Sequence, residues 1–388
     1  MTSRTRLLVL MISTPVIAFA IVGGYLGQAM AKDGTYQHLR VFEEVISLVL
    51  SNYVEPVDVK KALRGAMNGL ADSLDADSGY LTADLAKAYD TNAAAGPADV
   101  GLEVTRQYYL RVVSARDGSP AAKAGLRTGD FIRGIDGRAT RDMSVFEGTR
   151  LLRGAPGSKV SLLVIRGSAA DPHTIDLVRE RRTGPDVASR MAGGSTGYLH
   201  PVEFSKRSPA QWKQAIDALA KTGATRFVID LRGTAAGDPD DGIAAARLFV
   251  KSGTLAVRES KGAVRDVVSA QAGDGAIAAP VLLLVNQSTS GAAEVFAAAL
   301  DGNNRADLVG EHTLGRAAHQ RLVKLPDGSG LLLSNLRYLT PASEPIHEKG
   351  LKPDVEVEQP DVEFGMEPPA GDPTLEKALE IIGQKKAA

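Results

Sequence analysis

Hydrophobic positions change their spacing along this chain, and each change predicts a different kind of element. An apolar run from Leu7 to Val22 follows Arg4 and Arg6, and no charge returns until Lys32. Such a run is apolar on every side, unlike a half-buried helix, and the uncharged stretch is long enough for a bilayer. Ala29-Met30-Ala31 has the small-x-small form of a signal-peptidase site. Residues 1–31 therefore read as a cleaved signal or a retained anchor, with the remaining chain on the far side of the inner membrane. From Tyr36 to about Ala95 the spacing is helical. Val41, Val45, Ile46, Leu48, Val49 and Leu50 form one stripe, and Leu63, Ala66, Met67 and Leu70 follow within 57–74. Asp75-Ala76-Asp77-Ser78-Gly79 then signals a loop before Tyr80-Leu81.

Beyond Gly96-Pro97 the pattern shortens to strands broken by glycine turns. Strands are expected at 111–115 and 160–165, while Asp130-Phe131-Ile132 and Ile135 lead into a turn at Asp136-Gly137. Short helices are expected after Ser119-Pro120 and from the N-cap Ser144 to Leu152. From Gly197 on, buried strands (226–231 and 280–285) alternate with helices (209–220, 242–250 and 292–300). That order implies a mainly parallel sheet covered by helices. A last helix should begin at Asp372-Pro373. The boundaries that follow are 1–31, 32–95, 96–183, 184–360 and 361–388.

Composition narrows the function. With 388 residues the chain exceeds one ordinary domain. Its net charge of −1 and 5% aromatic content give no reason to expect nucleic acid as a partner. It has no cysteine, which excludes disulfides, thiolate metal sites and a lipid-modified cysteine. The six histidines show no metal-ligand spacing, and His173, His200 and His347 read as loop residues. Asp238-Pro239-Asp240-Asp241 reads as a helix N-terminus before a weak cation site. Neither a metal nor a cofactor is expected.

Gly118-Ser119-Pro120-Ala121, Ala124-Gly125-Leu126, Gly129-Asp130 and Ile135-Asp136-Gly137 make the middle segment resemble a PDZ domain. The resemblance implies that a peptide adds to a sheet edge while a turn's backbone amides hold its terminal carboxylate. That turn would be Asp99-Val100-Gly101-Leu102, with Asp99 where related proteins usually carry glycine. A carboxylate there is expected to repel a peptide tail.

Further stretches make the whole mature chain resemble the carboxyl-terminal processing (tail-specific) serine peptidases. They are 74–81, Asp230-Leu231-Arg232, Val285-Asn286 with Glu294, Gly310-Glu311 with Thr313 and Gly315, Lys349-Gly350 and Pro353-Asp354-Val355. The implied fold is an α/β peptidase core, a mixed sheet with flanking helices, plus an inserted β-rich PDZ domain and an N-terminal helical region. Family members cut with a serine and a lysine base. The serine position, three residues before Glu294, is Gly291, and the lysine position, after Gly315, is Arg316. Glycine has no hydroxyl, and arginine does not deprotonate in proteins. Gln320 matches a glutamine that assists the lysine. The oxyanion turn falls at 233–237, with Ala236 in place of a glycine and Gly237 beside it. Ser290, next to the vacated position, is the fallback nucleophile, with His312 and His319 the nearby imidazoles.

The resemblance thus implies a catalytically degenerate member in the cell envelope, on the periplasmic side of the inner membrane or secreted. It would bind peptides, a protein C-terminus or an envelope partner without cleaving. An active peptidase using Ser290, and a purely structural subunit of an envelope complex, remain alternatives. The oligomeric state is left open.

Overall fold

The computed structural model describes residues 34–167, 171–359, 366 and 371–384. The apolar segment 1–31 lies outside the described residues, and no described helix is long and apolar enough to cross a membrane. One unit extends to Gly65 and a second starts at Ala66. In the first, the expected helix is Gly34–Asn52, and its stripe is exposed at Val41, Val45, Leu48, Val49 and Leu50. The 57–74 spacing corresponds to the helix Val59–Asp72.

The 96–183 segment forms an antiparallel sheet in the order 102–107, 109–115, 131–135, 159–165, 173–178. Its own core includes Val100, Val104, Leu110, Ile132, Ile135, Leu162 and Val164. The predicted cap forms, Ser144 Oγ accepting the Glu147 amide (3.1 Å), and Ser119 Oγ likewise accepts the Ala122 amide (3.2 Å). Each satisfies one of the donors that a helix start leaves unpaired.

The following core holds a six-stranded sheet in the order 355–356, 306–310, 281–285, 226–230, 196–201, 187–193. Its pairs are parallel except the last, where 187–193 runs antiparallel to 196–201. Side chains alternate across the sheet. Phe227, Ile229, Val281, Leu283 and Val285 face a core with Trp212, Phe249 and Phe296. Val228, Leu282, Leu284 and Val309 face the last helix, Pro373–Gln384, at Ala378 and Ile382. Each fully buried large side chain contributes about 1.5–3 kcal/mol. Exposed ion pairs contribute about 0–1 kcal/mol each, so this double-sided burial sets the stability.

Two expectations need correction. The 36–95 stretch is not helical throughout: Gly79–Leu81 is a strand, paired antiparallel with Gly330–Leu332. It edges a second, antiparallel sheet built around the strand Gly330–Leu339, which the sequence reading did not anticipate. The helix expected over 242–250 runs instead from Pro239 to Ala246. Asp238 caps it by accepting the Asp240 amide (2.9 Å), and proline fits the first turn.

Asp230-Leu231-Arg232 closes the 226–230 strand with a clamp. Arg232 Nη2 donates to Asp230 Oδ2 and to Asp372 Oδ2, each at 2.6 Å. Asp372 also accepts the Leu375 amide (3.0 Å), so the clamp fixes the start of the last helix to the sheet. Burial pushes the Asp372 carboxyl up, but the Arg232 guanidinium and the Leu375 amide outweigh it and hold the group below its usual range. A depressed carboxylate contributes stability above its unfolded pKa, and that contribution is lost as pH falls through the folded value. Arg232→Ala, which leaves Asp230 buried without its cation, should lower the unfolding free energy by about 3 kcal/mol. Urea denaturation at neutral pH checks this, and the difference should shrink in acid below the normal carboxylate range.

Candidate active site

The strand Val281–Val285 turns into the helix Ala292–Asp301 through six polar or small residues. Short local bonds knit this turn. Asn286 Oδ1 accepts the Ser288 amide (3.0 Å), and Thr289 Oγ1 donates to the Leu231 carbonyl (3.0 Å). Gly291 ends the turn at φ +62° and ψ −118°. That backbone is costly for a residue with a Cβ, as at a strained nucleophile elbow. A Cβ placed there would meet only the carbonyl oxygens of Arg316 (3.6 Å) and Ala235 (4.0 Å). Position 291 therefore points between Arg316 and the 233–237 turn, and it has room for a side chain.

Glu294 holds this arrangement from within. Its carboxylate is buried and accepts four donors: the amides of Gly291 (3.0 Å), Gly315 (2.6 Å) and Arg316 (2.8 Å), and Thr313 Oγ1 (2.5 Å). Burial pushes the carboxyl up, and the four hydrogen bonds pull it back. The Gly291 contact is half of a capping box, glycine having no side chain to complete the other half.

Arg316 reaches away from position 291. Its Nε donates to Asp77 Oδ1 (2.7 Å), and its Nη1 donates more weakly to the Val104 carbonyl (3.3 Å). Burial works against the charge, but Asp77 and Glu103 outweigh it and raise the pKa further. Asp77 and Glu103 were not singled out from the sequence. Asp77 lies in the family-like 74–81 stretch and Glu103 directly after the carboxylate turn, but neither spacing reveals a partner so far along the chain.

Gln320 does not touch Arg316; its Nε2 donates to the Ala318 carbonyl (3.3 Å) and, at 3.4 Å, to Ser334 Oγ. Ser290 is buried, and its Oγ has no hydrogen-bond partner among the described residues. His312 Nδ1 lies against the Thr313 carbonyl (3.0 Å), His319 Nε2 pairs with Asp238 (3.2 Å), and neither imidazole hydrogen-bonds to Ser290 Oγ.

In the oxyanion turn, the Gly233 amide donates to Ser288 Oγ (2.7 Å). Ala235 and Ala236 line a cleft of about 580 Å³, and their amides have no partner among the described residues. Gly237, at φ +119°, instead packs against Phe204, where a Cβ would come within 2.3 Å of the Phe204 carbonyl. The cleft's other wall carries Asp99, Glu103, Arg116 and Arg153 from the PDZ-like segment. Val100 and Leu102 are buried in that segment's core, so they present backbone, not side chains. Asp238, Asp240 and His319 could together ligate an ion, but Arg258 Nη2 already donates to Asp240 Oδ1 (2.7 Å).

Comparison with known proteins decides what this arrangement descends from. Residues 195–357 match peptidase family S41, and residues 111–166 match the PDZ domain. The chain is 32% identical over 372 residues to the carboxy-terminal processing protease CtpA of Bacillus subtilis, covering 93% of this chain and 79% of that protein. The chain belongs to the carboxyl-terminal processing protease family. The Synechocystis carboxyl-terminal-processing protease is 33% identical over 290 residues, covering 73% of this chain and 68% of that protein. Among solved structures, the photosystem II D1 C-terminal processing protease is similar at TM-score 0.67 and 30% identity, with 81% of this chain and 86% of that chain covered.

Within this family frame, Glu294 is the group whose removal tests the scaffold alone. Glu294→Gln turns an amide N–H₂ toward donors that need an acceptor, so it should destabilise the core by about 2–3 kcal/mol. A shift of the chemical-denaturation midpoint with an unchanged slope would report this.

Proposed function

We propose that this chain is a pseudopeptidase of the cell envelope: a non-cleaving family member that binds peptide or protein segments in the cleft between the PDZ-like segment and the core. The observation that carries the reading is the paired change at the elbow. Gly291 presents no nucleophile toward the cleft, and Arg316 is bound to Asp77 and Val104 and cannot give up its proton. Losing a serine peptidase's nucleophile alone costs roughly a million-fold in turnover. What the cleft retains is suited to binding: two uncommitted backbone amides on one wall and charged side chains on the other.

Names borne by the relatives suggest protein C-termini as ligands. The N-terminal signal or anchor supports a place in the envelope. The alternative of an active enzyme using Ser290 has the burial and missing base of that hydroxyl against it.

The test is hydrolysis of an unfolded, tail-exposed protein by the full chain, beside a Gly291→Ser/Arg316→Lys double variant. We expect no cleavage by the natural chain and measurable cleavage by the double variant. The new serine's backbone strain should cost about 1–3 kcal/mol of stability, visible as a lower melting temperature. Cleavage by the natural chain that disappears in Ser290→Ala would sink the proposal.

A further inference from the structure

The turn that should hold a peptide's terminal carboxylate is already occupied. Gly101 keeps the conformation that such a turn needs: φ is +79°, and a Cβ would fall 2.2 Å from that of Ser119. Its amide donates to the side chain of Asp99, at 2.9 Å from Oδ1. The same oxygen accepts Arg116 Nη2 at 2.8 Å. The Asp99 backbone is fixed independently, exchanging both hydrogen bonds with Glu180 (3.1 and 2.9 Å). The carboxylate is therefore held by an amide and a guanidinium, the two kinds of donor that a peptide tail would seek. The repulsion expected from the sequence becomes something more definite: an internal carboxylate in the ligand's place.

The rest of the groove is not closed in the same way. Among the described residues, the strand Leu102–Gln107 pairs along only one side, with Tyr109–Ala115, which leaves its other edge for an added strand. On that strand, the Val104 carbonyl carries the 3.3 Å contact from Arg316, long enough to be displaced. Near the turn, Glu103 adds a second carboxylate. A free tail carboxylate would have to displace Asp99 and then sit beside two acids. An internal or carboxyl-blocked segment would meet neither obstacle.

We propose that Asp99 acts as a built-in substitute for a terminal carboxylate, so that the PDZ-like module of this chain rejects free C-termini and takes internal or carboxyl-blocked segments. This is discrimination by a repulsive, pre-filled position more than by an attractive one. It rests on the reading of the chain as a peptide binder, and it replaces the C-terminus as the ligand with an internal strand.

The test measures fluorescence anisotropy with a matched pair of labelled apolar peptides, one ending in a free carboxylate and one in an amide. The full natural chain, Asp99→Gly and Asp99→Ser are compared, with a thermal melt of each to confirm folding. The natural chain should bind the amide at least as tightly as the acid. Both variants should shift the ratio toward the acid, by about tenfold for Asp99→Gly. A natural chain that prefers the acid tenfold, or variants that leave the ratio unchanged, would overturn the proposal. Variants that bind neither peptide would do the same, because the emptied turn should then capture a carboxylate. Acid-selective binding by the variants with none by the natural chain would uphold the role of Asp99 and remove peptide binding from the proposed function. The non-cleaving reading itself stands or falls separately, on the hydrolysis experiment.

Discussion

The carboxylate of Glu294 is the constraint around which the altered site is organised. It gathers donors from the start of one helix and from the 313–316 loop, two segments that no strand pairing joins directly. A buried acid is costly unless its oxygens are satisfied, and here each oxygen accepts two donors. The positions that matter chemically, 291 and 316, are fixed through their backbones by this acid. Their side chains can change while the frame stays in place. The order of this core therefore does not depend on a hydroxyl at 291 or an amine at 316.

The two changes also suit each other physically. Glycine at 291 removes the strain that any side chain would meet at φ +62°. Arg316 places a permanent charge beside this turn, which the protein must pair. It does so with Asp77 and with the edge strand of the PDZ-like segment. The guanidinium thereby joins two parts of the second unit. Buried pairs of this kind are weak sources of net stability, so the role is better described as fixing an arrangement than as adding stability.

Much of the fold was legible because its signals are local. The apolar runs 226–231 and 280–285, the cap at Ser144, and the Asp372-Pro373 start all act within a few residues, and each element formed near its expected place. The helix at 239–246 was misplaced although its N-terminal signal, Asp238-Pro239, had been recognised as such. The second sheet was missed because Gly79–Leu81 finds its partner only at Gly330–Leu332. Three residues give no periodicity to read, and the pairing is purely tertiary. The site divides in the same way. Positions 291 and 316 were found through motif spacing, whereas the roles of Asp77 and Glu103 depend on contacts that spacing cannot express.

Position 99 shows how far a residue's identity goes before geometry is needed. Aspartate in a carboxylate-binding turn predicts repulsion, and charge alone cannot say whether the side chain faces solvent or the turn. The Gly101 amide and Arg116 settle its direction: the side chain turns inward and is satisfied there. At positions 99 and 316 the side chain is committed inside the chain, and at 291 there is none. Among the described residues, what stays uncommitted is backbone: the edge of 102–107 apart from the Val104 carbonyl, and the amides of Ala235 and Ala236. Backbone groups bind other backbone without regard to where a chain ends. On the proposed reading, such a surface is suited to hold the middle of a peptide.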